Sequence, residues 1–554
     1  MGIIWGGTCW KNREDQNIEK DWLLMSNSLN LSETTYEQAV AKPRAQSIVN
    51  EIVISRLILA VAMAVGLFLR IWQIDAMGFN TDEAVYAGQA AAIARVTGLR
   101  DIFPIFRAHP LLFQSMLSLV YRIHFSDLLG RLLVVFIGLS TVFVTYKLGK
   151  NLYGRLPGAL AALFLALMPY HVIVSRQVLL DGPMTFFATL TLYTLARFGQ
   201  TQRSSWLYAS GAILGLTLLS KETSIIMLGG VFVFLALSPE VRTRIRDLIV
   251  AVIIMGMVIA PFPISLMLAG SSSTGHNYLV WQLFRRPNHP WSFYLTLLPA
   301  AMGILLIIAA IAGLYFLKRE HSWREKLLLA WIFVPFAFFE IWPVKGYQYL
   351  LPIAPAVALL AGRALGKWIL KAKRIRFPSP IKTLFNQPVL YWLMTVAVVF
   401  SLGFTSWSQI QPETSTKFLA GTGGVPGGRE AGNWIQANVP VNARFMTIGP
   451  SMANIIEFYS GHLAYGLAVS PNPLHRNPSY DPVLNPDLQI RNSELQYLVW
   501  DSFSAARSPF FADKIMGYVN KYNGRAIHTE TITVKDEDGN PIVKPVIIIY
   551  EVYP

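Results

Sequence analysis

Charge is scarce in this chain. Of its 554 residues only 14% are Asp, Glu, Lys or Arg, against 53% hydrophobic, and the mean hydropathy is +0.42. That balance excludes an ordinary soluble domain and points to a polytopic membrane protein. Cysteine is almost missing: Cys9 stands alone, which excludes an intramolecular disulfide and leaves any part outside a membrane to hold by packing. The first fifty residues lack a basic stretch followed by a short apolar core and a cleavage site, so no signal peptide is expected. They read instead as a polar, partly disordered cytoplasmic tail, with Trp5, Trp10 and Trp22 as contacts to a membrane surface. The glycine-rich run Gly421–Gly428 lacks the Gly-Lys-Ser/Thr ending of a phosphate loop, which excludes nucleotide binding there. No His/Cys/Asp/Glu spacing has the specificity of a zinc motif. The net charge of +15 does not signal nucleic acid, because Lys and Arg cluster in short loops between apolar segments.

Those apolar segments fall near Ile52–Trp72, Leu128–Leu148, Leu156–Val174, Met184–Phe198, Leu207–Leu219, Ser224–Leu237, Leu248–Leu268, Phe293–Leu317, Leu327–Trp342, Leu350–Leu370 and Val389–Ser408, about eleven spans. With a cytoplasmic N-terminus, alternate loops carry Lys147, Lys150 and Arg155, then Arg197 and Arg203, then Arg242, Arg244 and Arg246, then Lys318 to Lys326, then Arg363 to Lys382. All fall on the inner side, as the positive-inside rule requires. The first outer loop, 75–127, is long, and its stretches Ala84–Val96 and Leu111–His124 have helical spacing suited to the outer interface. The expected domains are therefore the tail 1–50, a membrane domain 51–410, a linker 411–428 and an extracytoplasmic α/β domain 429–554. In the last, helices end at Ala437, Tyr459 and Tyr522, strands cover Arg444–Ile448 and Leu495–Trp500, and a hairpin joins Ile527–Val534 to Val543–Tyr550 through Asp538-Gly539-Asn540.

Polar motifs gather at the outer ends of the spans. Gly78-Phe79-Asn80-Thr81-Asp82-Glu83 places two adjacent carboxylates where the chain leaves the membrane. A charge at that depth needs a partner or a task, and adjacent acids let one stay ionised as a base while the other is paired. Capping of a helix by Thr81 or Asp82 is the competing explanation. The other motifs are His109-Pro110-Leu111, Ser175-Arg176 with Asp181, Ser220-Lys221-Glu222, Arg285-Arg286 with His289, and Lys345 followed by Tyr349-Leu350-Leu351-Pro352. Each has a structural alternative: an Asp181–Arg176 pair, a solvated turn at Lys221-Glu222, lipid headgroups on Arg285-Arg286, an interfacial Lys345, a loop histidine at 109. Trp434, Trp500 and Tyr480 offer sugar-stacking faces in the outer domain, with core packing as the stronger explanation.

In order, spacing and sidedness these motifs resemble those of the GT-C fold glycosyltransferases that use polyprenyl-phosphate sugars, the protein O-mannosyltransferases and the lipid A aminoarabinose transferases. The resemblance covers roughly Ile52–Leu370. Leu111 departs from it, standing where the family has a second proline. Ala108 precedes His109 where some members carry a metal-binding acid, so a divalent metal stays open and no metal ligand is assigned. The β-trefoil module of the eukaryotic mannosyltransferases has no counterpart, which places the likeness with the prokaryotic branch.

The resemblance implies an inverting transferase of the inner or plasma membrane, acting at the outer face on a polyprenyl-phosphate-linked sugar and an acceptor hydroxyl of protein, lipid or glycan. Asp82 is then the base, with Glu83 supporting it and Asp181 orienting acceptor or sugar. Lys345 and Lys221 meet the leaving phosphate, with Arg176, Arg285, Arg286 and Tyr349 as further contacts. His109 and Tyr86 belong to the acceptor side of the loop. Membrane lipids are the other partners; nucleic acid is not one. A secondary transporter or flippase is the alternative reading, although transporters place their charges near mid-membrane, often in repeated halves. A sensor or assembly subunit with a membrane anchor is a second alternative.

Overall fold

The structure is a computed structural model; it describes residues 50–106, 109–270, 277–278, 280–282, 284–315, 322–371, 388–412, 424–535, 538 and 540–554. The tail up to residue 49, Ala108, most of the linker, Gly539 at the hairpin turn and the basic residues at 318–319 and 373–382 lie outside them. By internal contacts the chain divides at residue 57; of the first unit only 50–57 are described, the opening turns of a helix. The C-terminal α/β region lies in the same unit as the helices from residue 58 onward.

Helix α1 (Asn50–Ile71) is followed by α2 (Thr81–Ala94) and α3 (Leu112–Tyr121) in the first long loop, then by the 27-residue α4 (Asp127–Tyr153). The expected third span is split into α5 (Arg155–Leu167) and α6 (Pro169–Val174). The break is at Met168, which Pro169 holds extended at φ −66°, ψ 122°. Next come α7 (Asp181–Thr201) and α8 (Ser204–Ser220), a short 3-10 turn at Glu222–Ile225, and α9 (Ile226–Leu237). Helices α10 (Ile245–Ile259) and α11 (Pro261–Leu268) run on as one apolar stretch.

The expected span Phe293–Leu317 is bent by 96° into α12 (Phe293–Met302) and α13 (Ile304–Gly313). Gly303 makes the bend with φ +85°, a conformation a side chain would strain. Then follow α14 (Trp323–Ile341), a 3-10 segment Tyr347–Ile353, α15 (Ala354–Lys371) and α16 (Pro388–Gln409). Among the described residues five helices are long and apolar enough to cross a membrane, or six with the bent pair, against the eleven expected. The others are short, kinked or polar. Threonines recur in α7, and Thr185, Thr189 and Thr191 each bond a carbonyl four residues back at 2.7–2.9 Å, which lets this buried helix carry them.

The bundle closes around α5, where every residue from Leu156 to Leu167 is buried. Small residues allow that closeness: a Cβ on Gly158 would lie 2.5 Å from the Lys150 backbone nitrogen in α4, and one on Gly362 in α15 would lie 2.6 Å from the Pro157 carbonyl.

The C-terminal region opens with α17 (Gly428–Asn438) and has strands β1 (Phe445–Thr447), β2 (Ala464–Gly466), β3 (Tyr497–Asp501), β4 (Arg525–Lys535) and β5 (Pro541–Glu551), ordered 2-1-3-5-4. Helix α18 (Pro450–Ser460) crosses between parallel β1 and β2, while α19 (Pro486–Arg491), α20 (Ser502–Arg507) and α21 (Pro509–Lys521) flank β3, which lies parallel to β1. The hairpin β4–β5 closes the sheet antiparallel. The sequence pattern located every strand but β2, whose three residues are too few to show alternation.

Candidate active site

The acid pair separates at the start of α2. Asn80, not Thr81 or Asp82, caps the helix: its side chain accepts from the Glu83 amide at 3.0 Å, and Glu83 accepts from the Asn80 amide at 3.1 Å. Glu83 then faces inward. Both its oxygens take Arg131, Nε to Oε1 and Nη2 to Oε2 at 3.0 Å each, and Oε1 also accepts from the Val178 amide at 2.9 Å. Both side chains are fully buried. Arg131 spends its remaining donors on the carbonyls of Ile74, Met77 and Gly78, which fixes the turn leading into α2. Glu83 is therefore a structural group here, with no face toward the cleft.

Asp82 points the other way. It lines a cleft of about 430 Å³, is exposed to it, and makes no hydrogen bond or ion pair with the described residues. The surrounding protein wall pushes its carboxyl up from the ordinary range; Lys221, His109 and Arg285 pull it down, and Glu83 adds to the rise. Because the carboxylate faces the open cleft, water still solvates it and limits that rise.

Five further expected residues share this cleft. Lys221, between α8 and the 3-10 turn, is buried beneath it, Nζ lying 2.9 Å from both oxygens of Asp181 and 4.9 Å from the Tyr349 ring centre. Asp181 thus pairs with Lys221 rather than with Arg176. Tyr349 and Arg285 line the same wall, Arg285 over the Trp281 ring at 4.6 Å. Tyr86 lies one turn beyond Asp82 in α2, edge-on to His109 at 5.7 Å. His109 lines the cleft as well and binds Glu222 through Nδ1 at 2.8 Å.

Three expected phosphate contacts lie elsewhere. Arg176 is buried and donates to the carbonyls of Leu69 and Arg70 at the end of α1, at 2.7 and 3.1 Å. Lys345 turns back into the protein, where Nζ meets the carbonyls of Phe339 and Trp342 at 3.3 Å and caps the end of α14. Arg286 is exposed and does not line the cleft, although its neighbour does. The interfacial setting expected for α2 is also corrected: residues on all its faces are buried, and Gly88 packs so closely on Phe103 that a Cβ would lie 2.5 Å from the ring.

Several cleft residues escaped the sequence reading. Tyr278, Trp281 and Gln282 follow a stretch with no strong periodicity, and Glu222 was visible only as the neighbour of Lys221. The far wall comes from the C-terminal region: Pro450 after β1, Ala468 to Ser470 after β2, and His475, Arg476, Asn477 and Tyr480 in the loop beyond. These follow the carboxyl ends of parallel strands, where open α/β sheets commonly place ligands. Of the three stacking candidates only Tyr480 lines the cleft; Trp434 stacks on His528 at 4.3 Å and Trp500 packs on the core behind the sheet. Among the described residues no group of three or more His, Cys, Asp or Glu could hold a metal ion.

Comparison with known proteins finds the following similarities. A family model described as dolichyl-phosphate-mannose-protein mannosyltransferase matches residues 108–266. A putative mannosyltransferase, YycA of Bacillus subtilis, is 26% identical over 164 residues, 29% of this chain and 24% of that protein. An undecaprenyl phosphate-alpha-4-amino-4-deoxy-L-arabinose arabinosyl transferase of Pseudomonas fluorescens is 25% identical over 257 residues, 41% of this chain and 43% of that protein. The chain thus matches less than half the length of these curated relatives. In fold it is similar to ArnT from Cupriavidus metallidurans, with a TM-score of 0.63 at 15% identity over 89% of this chain and 97% of that one. It is likewise similar to the Archaeoglobus fulgidus oligosaccharyltransferase, with a TM-score of 0.59 at 13% identity over 88% and 74%. The chain therefore shares its fold with ArnT and the Archaeoglobus fulgidus oligosaccharyltransferase, and over part of its length it is similar to the dolichyl-phosphate-mannose-protein mannosyltransferases.

Proposed function

We propose that this protein transfers a sugar from a polyprenyl-phosphate donor to an acceptor hydroxyl, with inversion at the sugar carbon. The observation that carries the reading is the free carboxylate of Asp82, which shares a cleft with Lys221, Arg285 and Tyr349. A structure of ArnT, similar to this chain with a TM-score of 0.59, is described as bound to undecaprenyl phosphate, which supports the donor class. Asp82 takes the proton of the acceptor hydroxyl. The acceptor oxygen attacks the anomeric carbon from the face opposite the phosphate, and the bond from that carbon to the phosphate oxygen breaks, its electron pair leaving with the lipid phosphate. Arg285, with no carboxylate partner among the described residues, and Lys221, tethered to Asp181, meet the charge that develops there, and Tyr349 donates its hydroxyl.

Glu83 and Asp181 are positioning residues in this scheme, the first through Arg131 and the second through Lys221. Lys345 and Arg176 hold helix ends and do not touch the donor. In this reading the cleft faces outward in an inner or plasma membrane, and residues 429–554 form the outer domain that covers the acceptor side. Transport has less support, because the acids and cations of the candidate site lie at helix ends and no repeated halves are apparent in the sequence.

The test is transfer of radiolabelled sugar from polyprenyl-phosphate donors in proteoliposomes, wild type against Asp82→Asn. Loss of a general base lowers turnover about 10²–10⁴-fold. A folded Asp82→Asn protein with full activity would remove the base, and substrate crossing the membrane unchanged by wild type would favour a transporter.

A further inference from the structure

Helices α7 and α8 connect the cleft to a second cavity at their other ends. α7 has 21 residues. At ~1.5 Å per residue it rises about 30 Å, close to the thickness of a bilayer's hydrocarbon core. Its first residue, Asp181, holds Lys221 beside the cleft; α8 returns from the far end to Lys221. The second cavity is about 1210 Å³ and opens between the end of α7, the start of α8 and the segment joining α9 to α10.

Arg203, Arg242 and Arg244 line it, and none makes an ion pair with the described residues. The two acids in the wall have other hydrogen-bond partners, although Asp247 also feels the charge of Arg244. Glu240 accepts from Lys326 Nζ at 2.9 Å, and Asp247 accepts from Ser204 Oγ and Tyr208 Oη at 2.7 Å each. Three guanidinium groups against two carboxylates leave the wall of this cavity with a net positive charge, which attracts an anion. The cavity also borders surface that suits lipid: Leu237 is 57% exposed at the end of α9, and Ile245 and Ile249 are 78% and 53% exposed on α10. The ligand that satisfies both features has an anionic head and apolar tails.

We propose that this cavity seats the phosphate headgroup of an anionic phospholipid, with its acyl chains along Leu237, Ile245 and Ile249. The site is independent of the sugar chemistry and lies a bilayer's thickness from it. It gives the loop between α9 and α10 a charged anchor in the membrane.

The test uses the full-length protein in phosphatidylcholine vesicles with and without phosphatidylglycerol, followed by native mass spectrometry of the extracted protein and a thermal melt. Wild type is expected to retain phosphatidylglycerol about tenfold over phosphatidylcholine and to melt higher in its presence. Arg242→Gln/Arg244→Gln loses both effects, while Arg242→Lys/Arg244→Lys, which guards against misfolding, keeps the larger part. Arg155→Gln is the control, a basic residue outside the cavity's wall. Equal loss in Arg155→Gln would reduce the effect to diffuse attraction of basic loops and overturn the proposal. So would retention by the double glutamine variant. Inorganic phosphate that raises the melt of wild type in phosphatidylcholine as far as phosphatidylglycerol does would assign the cavity to a soluble anion instead of a lipid.

Discussion

Replacing Glu83 by Gln keeps its shape and removes one negative charge. The loss falls on Arg131, which is fully buried and has Glu83 as its one carboxylate within ion-pair distance among the described residues. Removing one partner of a buried pair typically costs about 3–5 kcal/mol, since the other charge is left uncompensated. Three carbonyls still accept from Arg131, at 2.7, 2.7 and 3.0 Å, and its guanidinium lies 5.0 Å from the Phe79 ring centre. These partners place the expected loss near the lower end of that range, about 3 kcal/mol. Asp82→Asn, one residue earlier, touches no bonded partner and is expected to leave stability within about 0.5 kcal/mol of wild type. Melting of the two purified variants in one detergent, beside transfer assays in proteoliposomes, separates the roles. Glu83→Gln lowers the melting temperature and loses activity in proportion to the folded fraction, whereas Asp82→Asn melts as wild type and is inactive. A Glu83→Gln protein as stable as wild type would refute the reasoning, since the charge of Arg131 would then have found compensation that the geometry does not show.

Other outcomes follow from the same contacts. Asp181→Asn leaves Lys221 buried without its carboxylate, and is expected to lower turnover more than donor binding and to weaken the fold by about 3 kcal/mol; kcat and KM measured together show the split. The upward push on Asp82 places the acidic limb of the activity profile above the ordinary aspartate value of 3.8, with activity lost as pH falls through it, because only the ionised form accepts a proton. His109→Ala removes a group that lowers Asp82 and shifts that limb to higher pH, read from kcat/KM against pH. Gly88→Ala drives a methyl into the Phe103 ring and should cost about 1–3 kcal/mol, seen in the melt. Asp501, fully buried at the end of β3, is pushed up by burial to about 6. Its proton is therefore held more tightly in the folded state than in the unfolded one. Stability falls as pH rises from about 4 through 6, and Asp501→Asn removes that slope in melts across this window.

Much of the site was legible because its chemistry is local in sequence. Asp82, Lys221 and Tyr349 each stand at the end of an apolar run, and hydropathy alone brings such ends to one level. The direction of a side chain at that level is not local. Arg176, Arg285, Arg286 and Lys345 read alike as cations at span ends, yet only Arg285 reaches the cleft. Arg176 turns to the carbonyls at the end of α1 and Lys345 to those closing α14, because a helix end buried in protein needs donors that water cannot supply. The pairing of Glu83 was legible in kind but not in partner. Its partner Arg131 is 48 residues away on α4, inside an apolar run. The bend at Gly303 and the break before Pro169 were visible as residues but not as geometry, since a glycine within an apolar run is compatible with a continuous helix until its φ is known.

The two acids also explain why the cleft is built from both halves of the chain. Asp82 can remain uncommitted only if something else fixes α2, and the fixing comes from two directions. From the membrane side, Arg131 and the Val178 amide hold Glu83. From the C-terminal region, Tyr459 on α18 accepts the Phe79 amide at 2.7 Å, and the Ser451 carbonyl takes the Thr81 hydroxyl at 3.3 Å. Gly78 meets Gly424 so closely that a Cβ on the latter would lie 2.3 Å from the Gly78 carbonyl. Arg429 adds a pair to Asp75 at 2.9 Å. Helix α18 also begins at Pro450, which lines the cleft opposite Asp82. The element that steadies the base therefore carries part of the wall facing it. A shift of α18 moves both sides of the cleft together, so a change in the C-terminal region should alter turnover even where it leaves every cleft side chain intact.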